Sequence, residues 1–211
     1  MRNVSFFAFV AGILLMTCGA AGAATCQIND GATYTNSPVV RVQYNAGDRE
    51  EVFRISNSPY FGSGEWRAVE GSGPDYVDWR LDSWNGKETV YMEFAEDSEG
   101  ARLSTCQDSI IFDNKGPICL AFSSTVKCNQ WGSFNYGTSD GYSSKVDITI
   151  RITTKSGATK RVFRDGWQRT GLRHWDWYVN LEKGTYRIVV TAGDLAGNAQ
   201  SGTGRAWLRV R

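Results

Sequence analysis

In the C-terminal half of the chain Arg161, Arg164, Arg169, Arg173 and Arg187 interleave with Trp167, His174, Trp175 and Tyr178. Guanidinium groups beside aromatic faces suit an anionic glycan, whose sugar rings stack on the aromatics while its acidic groups pair with the forked N–H donors. Nucleic acid would suit the same residues, but the leader described below makes it the poorer partner. Trp167, Arg169, Arg173 and Trp175, expected around a Gly-rich loop from Gly166 to Gly171, are therefore the candidate ligand-binding residues. The competing reading places aromatics in the core. It is the stronger one for Trp79 and Trp177, which sit at matched positions of an internal repeat.

Other chemistries find less support. The single His174 lies between Arg173 and Trp175, and no Gly-x-Ser-x-Gly elbow supplies a nucleophile, so no catalytic residues are assigned and no enzyme is expected. Glu93, Glu96, Asp97 and Glu99 could furnish a carboxylate pair for sugar hydrolysis, yet such a cluster is ordinary in so acidic a segment. One His nearly excludes a histidine-built metal site. Asp97 and Asp194 head Asp-x-x-Gly turns and offer hard oxygen ligands, but calcium wants six to eight oxygens, and their simpler role is to accept the turn's own amides. Neither a metal nor a cofactor is expected.

The N-terminus reads as an export signal over residues 1–24. Arg2 supplies positive charge, Phe6 to Met16 form an apolar run, and Cys18-Gly-Ala-Ala-Gly-Ala-Ala24 supplies small residues for cleavage after Ala23 or Ala24. The run is too short to span a bilayer. Leu15-Met16-Thr17-Cys18 has the spacing of a lipoprotein signal, with Thr where a smaller residue is usual. Loss of the leader removes Cys18 and leaves Cys26, Cys106, Cys119 and Cys128, an even set that reads as two disulfides in an oxidising compartment. Three connectivities exist. The expected one is Cys26 with Cys106 and Cys119 with Cys128, because each pair then closes one repeat. A four-thiolate zinc site lacks its C-x-x-C knuckles.

The overall net charge of +1 hides a contrast. Residues 25–114 hold seven Lys or Arg against sixteen Asp or Glu, a net of −9, whereas residues 115–211 hold fifteen against six, a net of +9. Such asymmetry points to a polyanionic partner, or to halves or successive chains that attract each other.

The elements that must position these groups are short strands. Asp97-Ser-Glu-Gly100 recurs as Asp194-Leu-Ala-Gly197, and Asp78-Trp79-Arg-Leu81 as Asp176-Trp177-Tyr-Val179, so two copies of one module fill the exported chain. Asp113-Asn-Lys-Gly-Pro117 carries breaker chemistry and divides them into an acidic domain, 25–114, and a basic domain, 115–211. Strands are expected at 39–44, 52–56, 66–69, 76–81, 89–95 and 109–113, then at 118–123, 133–136, 146–153, 160–164, 175–181, 185–192 and 205–210. Asn85-Gly86, Ser156-Gly157 and Asp165-Gly166 are expected as turns. Val146, Ile148, Ile150 and Ile152 alternate with polar residues, as in a strand with one buried face. The expected fold is all-β: two tandem immunoglobulin-like β-sandwiches.

The run Gly184-Thr-Tyr-Arg-Ile-Val-Val-Thr-Ala-Gly-Asp-Leu-Ala-Gly-Asn198 resembles the closing hairpin of bacterial immunoglobulin-like and fibronectin type III-like repeats, and Asp108-Ser-Ile-Ile-Phe-Asp113 resembles the strand that ends a related repeat. The first turn departs from that pattern, with Ala101 in place of Asn. The resemblance covers most of residues 30–211. It implies a spacer, stalk or binding module on a bacterial surface and says little about activity; the leader implies a secreted, cell-surface or periplasmic location. The functional expectation is a surface or envelope module that binds an anionic glycan or envelope polymer through its basic domain. The alternatives are self-association through the opposite charges, or an accessory or inhibitor subunit of an exported enzyme.

Overall fold

The computed structural model describes residues 23–211 apart from Ser63, Ser72 and Ser83, so nearly all of the expected leader lies outside the described residues. In the first half eight strands form two sheets: β1 (Thr25–Ile28), β2 (Tyr34–Thr35), β3 (Val39–Asn45), β4 (Val52–Ser56), β5 (Arg67–Ala68), β6 (Asp75–Arg80), β7 (Gly86–Ala95) and β8 (Arg102–Phe112). Their orders are β1-β3-β6 and β2-β8-β7-β4-β5. The second half repeats the plan with β9 (Ile118–Ala121), β10 (Ser124–Val126), β11 (Trp131–Ser139), β12 (Lys145–Thr153), β13 (Thr159–Arg169), β14 (Gly171–Tyr178), β15 (Gly184–Gly193) and β16 (Gly204–Val210). Here the orders are β9-β11-β14 and β10-β16-β15-β12-β13, the first plan strand for strand. A three-stranded sheet facing a five-stranded one, with the first strand split between them, is the immunoglobulin-like sandwich. The chain is a tandem pair of these.

Each sandwich encloses its own core. In the second, the alternation read in the sequence holds: Val146, Ile148, Ile150 and Ile152 of β12 are fully buried, beside Ile188 and Val190 of β15 and Leu208 of β16. Burying such a side chain is worth about 1.5–3 kcal/mol, and the polar residues between them necessarily face out. In the first, Tyr44, Phe53 and Phe94 pack with ring centroids 4.7 and 5.9 Å apart around Tyr44, next to Val42 and Met92. Of the two matched tryptophans, Trp177 is buried, whereas Trp79 packs at the core's margin and donates its indole N–H to Asn57 Oδ1 at 2.6 Å.

Three expectations need correction. Strands β1, β2 and β10 were not expected, because four, two and three residues carry no readable period. They exist by pairing: β2 runs parallel to β8 and β10 parallel to β16. Asp165-Gly166 is not a turn but a β-bulge inside β13, where the register against β12 slips between Ile148 and Thr149 and Gly166 takes a left-handed φ of +68°. The Gly166–Gly171 loop is likewise absent, since β13 ends at Arg169 and β14 begins at Gly171.

The cysteines form one disulfide among the described residues, where two were expected. Cys26 of β1 and Cys106 of β8 form a disulfide, with Cα atoms 5.8 Å apart, that ties the two sheets of the first sandwich. Cys119 and Cys128 are free thiols. The Cys119 amide donates to Gly202 O and the Cys128 amide to Arg211 O, each at 2.9 Å, so the two cysteines sit at opposite ends of β16. A strand of that length spans roughly 20 Å, while a disulfide needs Cα atoms within about 7 Å. Burial raises the Cys119 thiol to about 11, and the Gly204 amide beside it pulls the other way by less.

Cys26→Ser with Cys106→Ser should lower the stability of the first sandwich by about 2–4 kcal/mol, seen in calorimetry as a shift of one unfolding transition and not the other. In the folded chain alkylation should label half-exposed Cys128 and spare Cys119 until the pH nears 11, since burial keeps it a neutral thiol below that.

Candidate functional site

The bulge in β13 decides where the candidate residues point. Phe163 faces inward, with its ring centroid 6.4 Å from Phe134 and 5.2 Å from Trp177. Strict alternation would send Trp167 inward as well. The extra residue at Asp165-Gly166 reverses the phase, so Gly166 lies opposite Ile148, Trp167 opposite Asp147 and Arg169 opposite Lys145. Trp167, 52% exposed, and Arg169 therefore stand on the outer face of the five-stranded sheet. The bulge is held from inside: the buried Tyr136 hydroxyl donates to the Asp165 carboxylate, and Gln168 Nε2 donates to Asp165 O at 2.8 Å. Burial, and next the bond to Asp165, push Tyr136 well above the ordinary phenol range.

Arg173 and Trp175 belong to the other sheet. Trp175 is half-buried, its ring centroid 5.5 Å from Phe163, and it packs against the core. Arg173 folds back so that Nε and Nη2 donate to Arg169 O at 3.3 and 3.2 Å. The four residues thus divide: Trp167 and Arg169 form part of an open surface, Arg173 braces the corner beneath them, and Trp175 fills space.

That open surface is larger than the sequence suggested. Cross-strand register places Lys145 and Arg151 of β12, Arg164 and Arg169 of β13, Arg187 of β15, and Arg205 and Arg209 of β16 on one side of the sheet, with Asp147 as its carboxylate. Trp207, 46% exposed, joins Trp167 there, and the Arg187 guanidinium lies 5.1 Å from its ring centre. Trp167 also borders a shallow depression lined by Asp147, Thr149, Thr191 and Gln200. Arg205, Trp207 and Arg209 escaped the sequence reading, although their spacing of two along a terminal strand was the available signal. On the corresponding face of the first sandwich Arg54 lies opposite Glu93, paired at 2.9 Å. The second sandwich's three-stranded sheet has a different outer face, with Leu120, Trp131, Leu172 and Tyr178 exposed.

The carboxylates considered for hydrolysis are otherwise engaged. Glu93 is held by Arg54, Glu96 by Arg49 at 2.9 Å, and Asp97 accepts the Glu99 amide at 2.8 Å. His174 sits in the open, its Nε2 3.4 Å from Asp176 Oδ2. Asp194 accepts its own turn's Asn198 amide at 2.7 Å, but it also has company that the sequence did not reveal. The carboxylates of Asp113, Asp140 and Asp194 lie with one ligand atom each within 4.8 Å of the others. Two ionised carboxylates at that distance repel by about 3 kcal/mol at an effective dielectric constant of 20. Burial raises the Asp113 carboxyl above the usual range; the Lys115 amide opposes this, and the charges of Asp140 and Asp194 add to it.

No protein-family model matches the chain, and no curated protein matches it by sequence. Among solved structures it is similar to the tetra-tandem repeat in the extending region of a large adhesion protein, at 20% identity and a TM-score of 0.38, covering 90% of this chain and 49% of that one. It is also similar to a multi-domain segment of titin, at 14% identity and a TM-score of 0.46, covering 90% and 65%, and to the FN1–FN3 domains of chicken CNTN1, at 16% and 0.36, covering 90% and 69%. The chain spans about half the length of the adhesion-protein repeat structure.

The division of the candidate residues has a measurable consequence. Trp175→Ala should destabilise the second sandwich by about 2 kcal/mol or more through the cavity it leaves, whereas Trp167→Ala should stay within about 0.5 kcal/mol of the parent, both read from denaturant unfolding.

Proposed function

We propose that the chain is an exported, non-catalytic surface or envelope module whose second sandwich binds a polyanionic or carbohydrate partner. The observation that carries this reading is the outer face of the β10-β16-β15-β12-β13 sheet, which gathers seven Lys or Arg, two exposed tryptophans and a single carboxylate. Cations spread over a flat sheet, with neighbouring rows about 4.8 Å apart, match the repeating charge of an extended polymer better than a compact ligand. Tryptophans on the same surface offer stacking for sugar rings. The partner is an anionic glycan or envelope polymer met outside the cell, and nucleic acid is set aside on the ground of export.

The second reading is self-association. Of the ion pairs among the described residues, two lie within the acidic sandwich and one within the basic sandwich, so the −9 and +9 are not matched against each other inside the chain. Successive chains could satisfy them head to tail.

One variant set separates the two. Arg164→Ala, Trp167→Ala and Arg169→Ala together should weaken binding of the full chain to heparin, or to isolated envelope polysaccharide, by about tenfold or more without lowering the melting temperature, and parent binding should fall steeply with salt. Unchanged binding removes the proposal. Loss of low-salt oligomers in sedimentation velocity, with polymer binding absent in the parent, supports self-association.

A further inference from the structure

We infer that Asp113, Asp140 and Asp194 hold a calcium ion at the joint between the two sandwiches. The three residues come from separate segments: Asp113 follows β8 and opens the connection to the second sandwich, Asp140 lies in the β11–β12 loop, and Asp194 in the β15–β16 turn. Folding alone brings them together, since no local motif joins positions so far apart in sequence.

The observation that sets this cluster apart from an ordinary acidic patch is Asp113. Its side chain is 0% exposed, and its Oδ2 is buried with no hydrogen-bond partner, while Oδ1 accepts the Lys115 amide at 3.0 Å. Asp194 is almost as buried. Among the described residues no Lys or Arg nitrogen comes within 4.0 Å of any of the three carboxylates. An unpaired carboxylate oxygen in the interior, next to two more acids, calls for a cation in that space.

The surroundings hold the acids in place. Asn198 Nδ2 donates to Asp194 Oδ2 at 2.8 Å and to Asp113 O at 2.7 Å, tying the connection to the turn. Asp140 Oδ1 accepts the amides of Tyr142 and Ser143 at 2.9 and 2.6 Å, and Ser143 Oγ in turn accepts the Leu195 amide at 3.1 Å. All these oxygens can accept a further interaction, because a carboxylate has about four lone-pair sites. The donor set is oxygen only, with neither thiol nor imidazole, which selects calcium or magnesium over zinc or copper. Three acids from three irregular segments suit calcium's loose coordination better than magnesium's strict octahedron, and the remaining positions fall to second carboxylate oxygens, backbone carbonyls and water. A bound ion would fix the first sandwich's last residue to two loops of the second and so stiffen the joint.

The test uses the full chain, treated with EDTA and then titrated with CaCl₂ or MgCl₂ while heat and thermal unfolding are followed. Few protein ligands and extracellular use place the affinity at about 0.1–1 mM, so about 10 mM calcium should raise the melting temperature by roughly 5 °C and magnesium by much less. Asp140→Asn, at the half-exposed ligand, should lose this increment. In EDTA it should melt no lower than the parent, since it relieves like-charge repulsion, and that second measurement separates loss of a ligand from loss of the fold. Absence of both heat and shift at about 10 mM calcium overturns the inference. So does an equal shift in Asp140→Asn, which would place the ion elsewhere, or an equal response to magnesium, which would refute calcium.

Discussion

The alternation of side chains along β12 is the constraint on which the second sandwich depends. Four aliphatic residues two apart must be buried together, and this fixes the strand's face, its register with β13 and β15, and through β15 the face of β16. The basic surface is the other side of the same fact. With Ile148 and Ile150 inside, Lys145 and Arg151 must stand outside, and each antiparallel neighbour contributes its own outward row. The bulge at Asp165-Gly166 is the one place where this rule is broken, and breaking it moves a tryptophan from interior to surface. Its cost is a half-buried carboxylate, met by the hydroxyl of Tyr136. A bulge that changes what a sheet displays while leaving its core intact is a familiar way to place a binding side chain.

The two sandwiches share a plan but not a chemistry. One is closed by a disulfide between its first and last strands, while the other keeps the corresponding first-strand cysteine as a buried thiol against Gly204. One neutralises the outward face of its large sheet with a cross-strand Arg54–Glu93 pair, and the other leaves that face almost entirely cationic. The connection between them is fastened to the second sandwich: Ser201 Oγ donates to Gly116 O at 2.9 Å, and Gly116 passes so near the Ala199 carbonyl that a Cβ there would overlap it. Its glycine is a requirement of close approach, beyond the turn chemistry that marked the segment in the sequence.

Fold class and domain plan were legible because they rest on period-two patterns and a repeat. Strands such as β12 and β15 announce themselves through β-branched alternation, and the matched Asp-Trp and Asp-x-x-Gly segments show that the pattern occurs twice. What escaped the sequence depends on partners distant along the chain. Strands of two to four residues exist only because a neighbour supplies their hydrogen bonds. Asp165-Gly166 reads as a turn until β12 is laid beside it and the extra residue shows as a bulge. Spacing within the repeat suggested that Cys119 and Cys128 would meet, but only the length of β16 between them shows that they do not. Of the four candidate binding residues, parity could not separate Trp167 from Trp175 without knowledge of the bulge, and a cluster drawn from Asp113, Asp140 and Asp194 is invisible in one dimension.

The parallel pairing of β10 with β16, Ser124 to Val126 against Leu208 to Val210, bears on how the chain would respond to being pulled. One of these strands lies near the entry to the second sandwich and the other at its exit, so tension along the chain drives them past each other lengthwise. Their hydrogen bonds then carry the load together instead of opening one after another, and the same geometry recurs in miniature where β2 lies along β8. In the first sandwich the Cys26–Cys106 bond adds a hard stop, because the 80-residue span it closes cannot be drawn out while the bond is intact. Under load the first sandwich could therefore lengthen only by the residues outside that loop, and the second would be the part that gives.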